Sequence, residues 1–140
     1  MKMIVSLFLA AVLLLMMTGC TPKPSVKFTN NLDQTVDNMY ITPDTDDEWG
    51  ESLLITTVEP GHTISLTMEK FSPENAPGVF DIGVICHNAM NYDVYGVYLE
   101  EGYEIEMSST GNTASDTVIL KVTDRDGNVT TYEGYIYSND

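Results

Sequence analysis

The sequence is poor in cations, in cysteine and in helical pattern, and each shortage removes a class of function. Six lysines and arginines stand against 21 aspartates and glutamates, a formal charge of −15. Nucleic-acid binding needs a cationic surface that releases counterions from phosphate, so no nucleic acid is expected as a partner. The same excess keeps the body of the chain off anionic lipid headgroups. The only cysteines are Cys20 and Cys86, and the two histidines, His62 and His87, are far apart in the sequence. That set does not supply the four ligands of a zinc site. No Gly-x-Ser-x-Gly elbow, His-Glu-x-x-His pair or glycine-rich phosphate loop occurs, so no catalytic machinery of those kinds is expected. Cys86 and His87 are neighbours, but adjacent residues on a strand point to opposite faces and cannot act as nucleophile and base.

What is present begins with a leader. Lys2 supplies one cation, and an almost wholly apolar run from Ile4 to Met17 follows. The run is shorter than the roughly 20 residues a membrane-spanning helix needs, and its flanks are those of a secretory signal. Its ending, Met17-Thr18-Gly19-Cys20, resembles the lipobox of bacterial lipoprotein precursors, with Met17 in place of the usual leucine. The resemblance implies removal of residues 1–19, lipidation of Cys20 and export. The protein would then be held at the cell membrane or the outer membrane by covalent acyl chains, at least two of which are needed for a stable anchor. Lys2 is the only charge in the leader, so the mature chain is one unit more acidic. With Cys20 used by lipid, Cys86 has no partner for a disulfide, and the fold must stand on packing alone.

Residues 20–25, with Pro22 and Pro24, read as the lipidated cysteine and a short stiff linker. Residues 26–138 read as one domain, long enough for a single core. Period-2 alternation recurs through it, broken by Gly, Pro, Asn and Asp clusters. Strands are expected at Val26–Thr29, Val36–Thr42, His62–Met68, Val79–His87, Tyr92–Leu99, Tyr103–Met107, Thr117–Thr123 and Val129–Tyr137, with Leu53–Val58 either strand or turn. About eight strands with no room for crossover helices predict an all-β fold. The economical form is an antiparallel two-sheet β-sandwich of immunoglobulin-like or C2-like topology.

Tyr40-Ile41-Thr42-Pro43, Trp49-Gly50-Glu51-Ser52-Leu53-Leu54, Pro60-Gly61 and Phe80-Asp81-Ile82 together resemble a recurrent small exported bacterial β-sandwich module. The likeness runs over residues 28–86 and departs at Cys86-His87-Asn88-Ala89-Met90, where an acidic Asp-x-x-Gly turn is usual. It implies fold and export, and no activity.

Two groups of residues are candidates for binding. Asp44, Asp46 and Glu48 alternate as calcium ligands do, and Asp124 and Asp126 in a hairpin turn offer two more carboxylates. Against a calcium site, Trp49 sits where an EF-hand needs glycine, and Asp-Gly is what a tight hairpin requires. The second group is Tyr95, Tyr98, Tyr135 and Tyr137, whose rings suit a protein or glycan partner. The function expected is a lipid-anchored, extracytoplasmic binding or envelope-structural module without catalytic activity. A calcium-binding, C2-like adhesion-type domain is one alternative. An acidic inhibitor or periplasmic partner of a basic protein, steered by charge, is the other.

Overall fold

The computed structural model of the chain describes residues 22–139, so the leader, the lipobox and Cys20 lie outside the described residues. Within them the chain is all-β. Its eight strands are β1 (Ser25–Asn30), β2 (Val36–Pro43), β3 (Thr63–Thr67), β4 (Gly78–Cys86), β5 (Met90–Leu99), β6 (Glu104–Ser109), β7 (Thr117–Thr123) and β8 (Val129–Ser138). Leu53–Val58 forms no strand; Val58 makes one isolated bridge to Val36. The linker is tied down at its end, where the Pro24 carbonyl accepts the Met68 amide and Lys23 pairs with Glu69 at 3.0 Å.

The strands form one sheet in the order β2-β4-β5-β8-β7-β6-β1-β3. All neighbours are antiparallel except β1 and β6, which run parallel with Lys27 beside Glu104. The expected pair of separate antiparallel sheets is therefore replaced by one mixed sheet, curled into a half-barrel. Alternation marks which residues face inward, but it does not say which strand lies beside which.

The link between the two halves is β8. Residues 129–135 pair with β7, and residues 135–138 pair with β5. Gly134 sits where β8 presses on β5. A Cβ there would stand 1.9 Å from the Asp93 carbonyl oxygen, an approach of backbone to backbone that only glycine permits.

The concave face holds the core. Val26 and Phe28 of β1, Met39 of β2, Ile82 of β4, Val94 of β5, Met107 of β6 and Leu120 of β7 are all fully buried. Each such side chain contributes about 1.5–3 kcal/mol by leaving water. Cys86 belongs to this core. Burial first, then the nearby Asp37 and Asp33 carboxylates, push its thiol up to about 12, so no reactive thiolate forms at neutral pH. His87 lies on the other side, exposed, with Nδ1 3.3 Å from Asp37.

Two bulges decide what reaches the convex face. One is in β2, where pairing slips between Val36 and Asn38. The other is in β5, where Tyr95 and Gly96 occupy the register gap opposite Asp81. Gly96 takes a positive φ of 71° there, and its amide donates to Asp81 Oδ1 at 3.0 Å. Before the bulge Tyr92 and Val94 face inward; after it the inward residues are Val97 and Leu99. The extra residue resets the alternation and leaves Asp93 and Tyr95 together on the outside.

Candidate aromatic and carboxylate cleft

The convex surface of β2, β4, β5 and the end of β8 carries the one unusual grouping of polar side chains. Strand register aligns Tyr40 of β2, Gly83 of β4, Asp93 of β5 and Tyr135 of β8 in one row. The loop after β2 folds back over this row and lays Trp49, the only tryptophan, onto it. Trp49 has its ring centroid 6.3 Å from that of Tyr40 and 6.1 Å from that of Tyr95, tilted by 55° and 41°. Gly83 is the floor. A Cβ at this position would lie 2.7 Å from Asp93 Oδ1 and 3.1 Å from the Trp49 ring, so the missing side chain is what lets both settle flat.

Asp93 is only 3% exposed although its strand faces outward here. Tyr95 and Tyr137 both donate their hydroxyls to its Oδ2, at 3.0 and 2.5 Å. Neither phenol reaches Oδ1, which lies over Gly83. Burial raises the Asp93 carboxyl above the usual carboxylate range, the two phenol hydrogen bonds pull it back, and Asp81 pushes it up again. The phenols respond in kind. Burial and the adjoining carboxylate push Tyr95 up to about 12 and raise Tyr137 as well.

No basic side chain among the described residues reaches this carboxylate. Lys23, Lys27, Lys121 and Arg125 stand against Glu69, Glu104, Glu106 and Glu100, and Lys70 borders a groove beside β3. Asp93 is thus a desolvated carboxylate stabilised by hydroxyls alone, a costly arrangement.

Two hollows flank the Trp49 ring. One, of about 250 Å³, is bounded by Tyr40, Gly83, Asn91, Asp93, Tyr137 and Trp49 itself. The other, of about 330 Å³, carries Asp46, Asp47, Glu48 and Asp81 on its walls, with Tyr95.

The residues singled out from sequence fall in different places. Tyr95 and Tyr137 meet at Asp93, and Tyr135 is 69% exposed in the same row. Tyr98 stands apart, bonding Glu100 and packing edge-on against Tyr103. Asp46 and Glu48 approach Thr42, whose hydroxyl lies 3.5 Å from Asp46 Oδ2 and 3.3 Å from the Glu48 carbonyl. Asp44 is held by its backbone alone, its amide on the Val79 carbonyl. Asp124 is occupied by its own turn, accepting from the amides of Asp126 and Asn128 and from the Asn128 side chain. Among the described residues no three carboxylate, histidine or cysteine side chains converge as a metal site requires. The acidic loop carries Trp49 back over the sheet.

Asp93 and Gly83 stand in no motif, and Tyr40 and Trp49 enter the sequence reading through the likeness to an exported module. Two signals were readable: a charged residue inside a Tyr-rich strand, and a glycine inside the most apolar one. Comparison with family models, with curated proteins and with solved structures gives no match for this chain.

Proposed function

We propose that the protein is an exported, lipid-anchored binding module without catalytic activity, which presents the convex face around Asp93 to ligands outside the membrane. Anchoring rests on the lipobox resemblance at residues 17–20. Binding rests on one observation: the sole tryptophan packs outside the core, over a glycine floor and against a buried carboxylate. Packing for stability alone has no need of such a group on the solvent side of a sheet.

The curled sheet acts as a rigid scaffold, with its packed core beneath the outer surface that carries the cleft. Phenols paired to a buried carboxylate hold it in place, and no nucleophile and base stand together beside it. The acidic surface favours partners of positive charge, which keeps a basic protein among the classes to be tried.

The test has two arms. Labelled palmitate is expected to enter the wild-type protein and not Cys20→Ala. In the purified mature chain, Trp49 emission is expected to change saturably with at least one of a saccharide, an amine or a basic peptide. An unlabelled wild type ends the anchoring claim, and a silent tryptophan against all three classes ends the binding claim.

A further inference from the structure

Resting on that reading, we infer that the cleft between Trp49 and Asp93 binds an organic cation of the alkylated ammonium type, held by aromatic faces and by the Asp93 carboxylate. Three features of the cleft select this chemistry.

The first is charge. Asp93 is buried, and its only hydrogen-bond partners are two neutral phenols on the same oxygen. Asp81, Asp46, Asp47 and Glu48 line the hollow on the far side of the Trp49 ring, and every ion-paired base lies elsewhere. An anion would meet repulsion from each side. A cation repays the desolvation that Asp93 already bears.

The second is the rings. Tyr40 and Trp49, which with Tyr137 line this hollow, are tilted by 55° rather than coplanar, so they form a notch and not the flat platform on which a sugar ring stacks. The negative faces of such rings attract a cation, most strongly at tryptophan and at a desolvated site.

The third is hydrogen-bonding capacity. Tyr95 and Tyr137 spend their hydroxyl protons on Oδ2, and Asn91 gives its amide to Asn139 at 2.6 Å. The donors nearest the carboxylate are therefore spent, and a methylated ammonium asks for none. Hydrated metal ions are disfavoured for the converse reason, since among the described residues no three ligand side chains converge. At about 250 Å³ the cleft is smaller than the ~300–1,000 Å³ of sites for drug-sized molecules. It suits a headgroup.

The experiment titrates the mature protein, following emission of Trp49, with choline chloride and with 3,3-dimethyl-1-butanol, its uncharged carbon isostere, at constant ionic strength. Choline is expected to saturate with Kd near the millimolar range, and the isostere to bind at least ~tenfold more weakly, equivalent to about 1.4 kcal/mol. Asp93→Asn is expected to erase that preference while keeping a wild-type circular dichroism spectrum. Should Asp93→Asn fail to fold, Trp49→Leu followed by calorimetry takes its place and is expected to abolish choline binding. Equal affinity for choline and the isostere overturns the inference, as does saturation that neither substitution weakens. If glucose or a basic peptide perturbs Trp49 while choline does not, the cation assignment fails and the binding-face reading stands. If no probe perturbs it, both fail.

Discussion

The two convex faces of this one sheet are built on opposite rules. Over β1, β6 and β7 the outward residues neutralise each other across the strands: Lys27 lies beside Glu104 and Glu106 beside Lys121, in register and 3.7 and 3.5 Å apart. Over β2, β4, β5 and the end of β8 the outward surface contains a glycine, a buried carboxylate and five aromatic rings, Tyr40, Trp49, Tyr95, Tyr135 and Tyr137, with no base among the described residues to answer the charge. The first face is finished within the chain. The second is left electrostatically open, and the proposed binding rests on that. A curled β-sheet hosts many unrelated activities, so this difference between faces, and not the fold, is what supports the proposal.

The comparison is broken most severely where the two halves join. Gly134→Ala forces a methyl group against the Asp93 carbonyl. It is expected to cost about 3 kcal/mol or more, since neither backbone has room to give. The measurement is thermal unfolding, with Tm falling by on the order of 10 °C. A loss below 1 kcal/mol means that β8 does not cross β5 as described.

Next in size is a difference in the sign of pH dependence. Burial raises the Asp93 carboxyl, so the folded protein holds that proton more tightly than the unfolded chain does. Its contribution therefore worsens as pH climbs from the ordinary carboxylate range through the raised value. Asp116 and Asp124, in exposed turns, are lowered by hydrogen bonds from Thr113 and Asn128 respectively. What they add is present above the ordinary carboxylate range and is lost as pH falls through their lowered values. Asp93→Asn is expected to raise Tm at pH 7, with the gain shrinking on acidification. Asp124→Ala is expected to lower Tm at pH 7, with the loss shrinking on acidification. Parallel Tm-against-pH curves for the two variants would refute the assignment.

The smallest effect belongs to the closed face. A double-mutant cycle on Lys27→Ala and Glu104→Ala is expected to give a coupling below about 1 kcal/mol that fades with salt, since both side chains are more than half exposed.

Much of the fold was legible because period 2 is a local signal. All eight strands lie within a few residues of where alternation puts them, and the inward sets of β4 and β7 read straight from the sequence. The pairing of β1 with β6 was not legible, since nothing near Val26 or Ile105 names a partner so distant in the chain. The site was half visible. Tyr95 and Tyr137 stood out as outward aromatics, whereas Asp93 acquires its character from the bulge at Tyr95-Gly96 and from a loop that returns over Gly83. Both are tertiary events. The charges of the acidic loop give no sign in the sequence that it lays one indole ring over the sheet.

The parallel contact of β1 with β6 also governs the order in which the molecule can be assembled. The third strand hangs on the first alone, and the first has no other neighbour until Glu104–Met107 has been made. Early in the chain's life, then, two apolar ribbons exist with nowhere to dock, and pairing across such a span is slow. Until the sixth strand is made these ribbons keep open edges, a window in which they can pair with another chain instead.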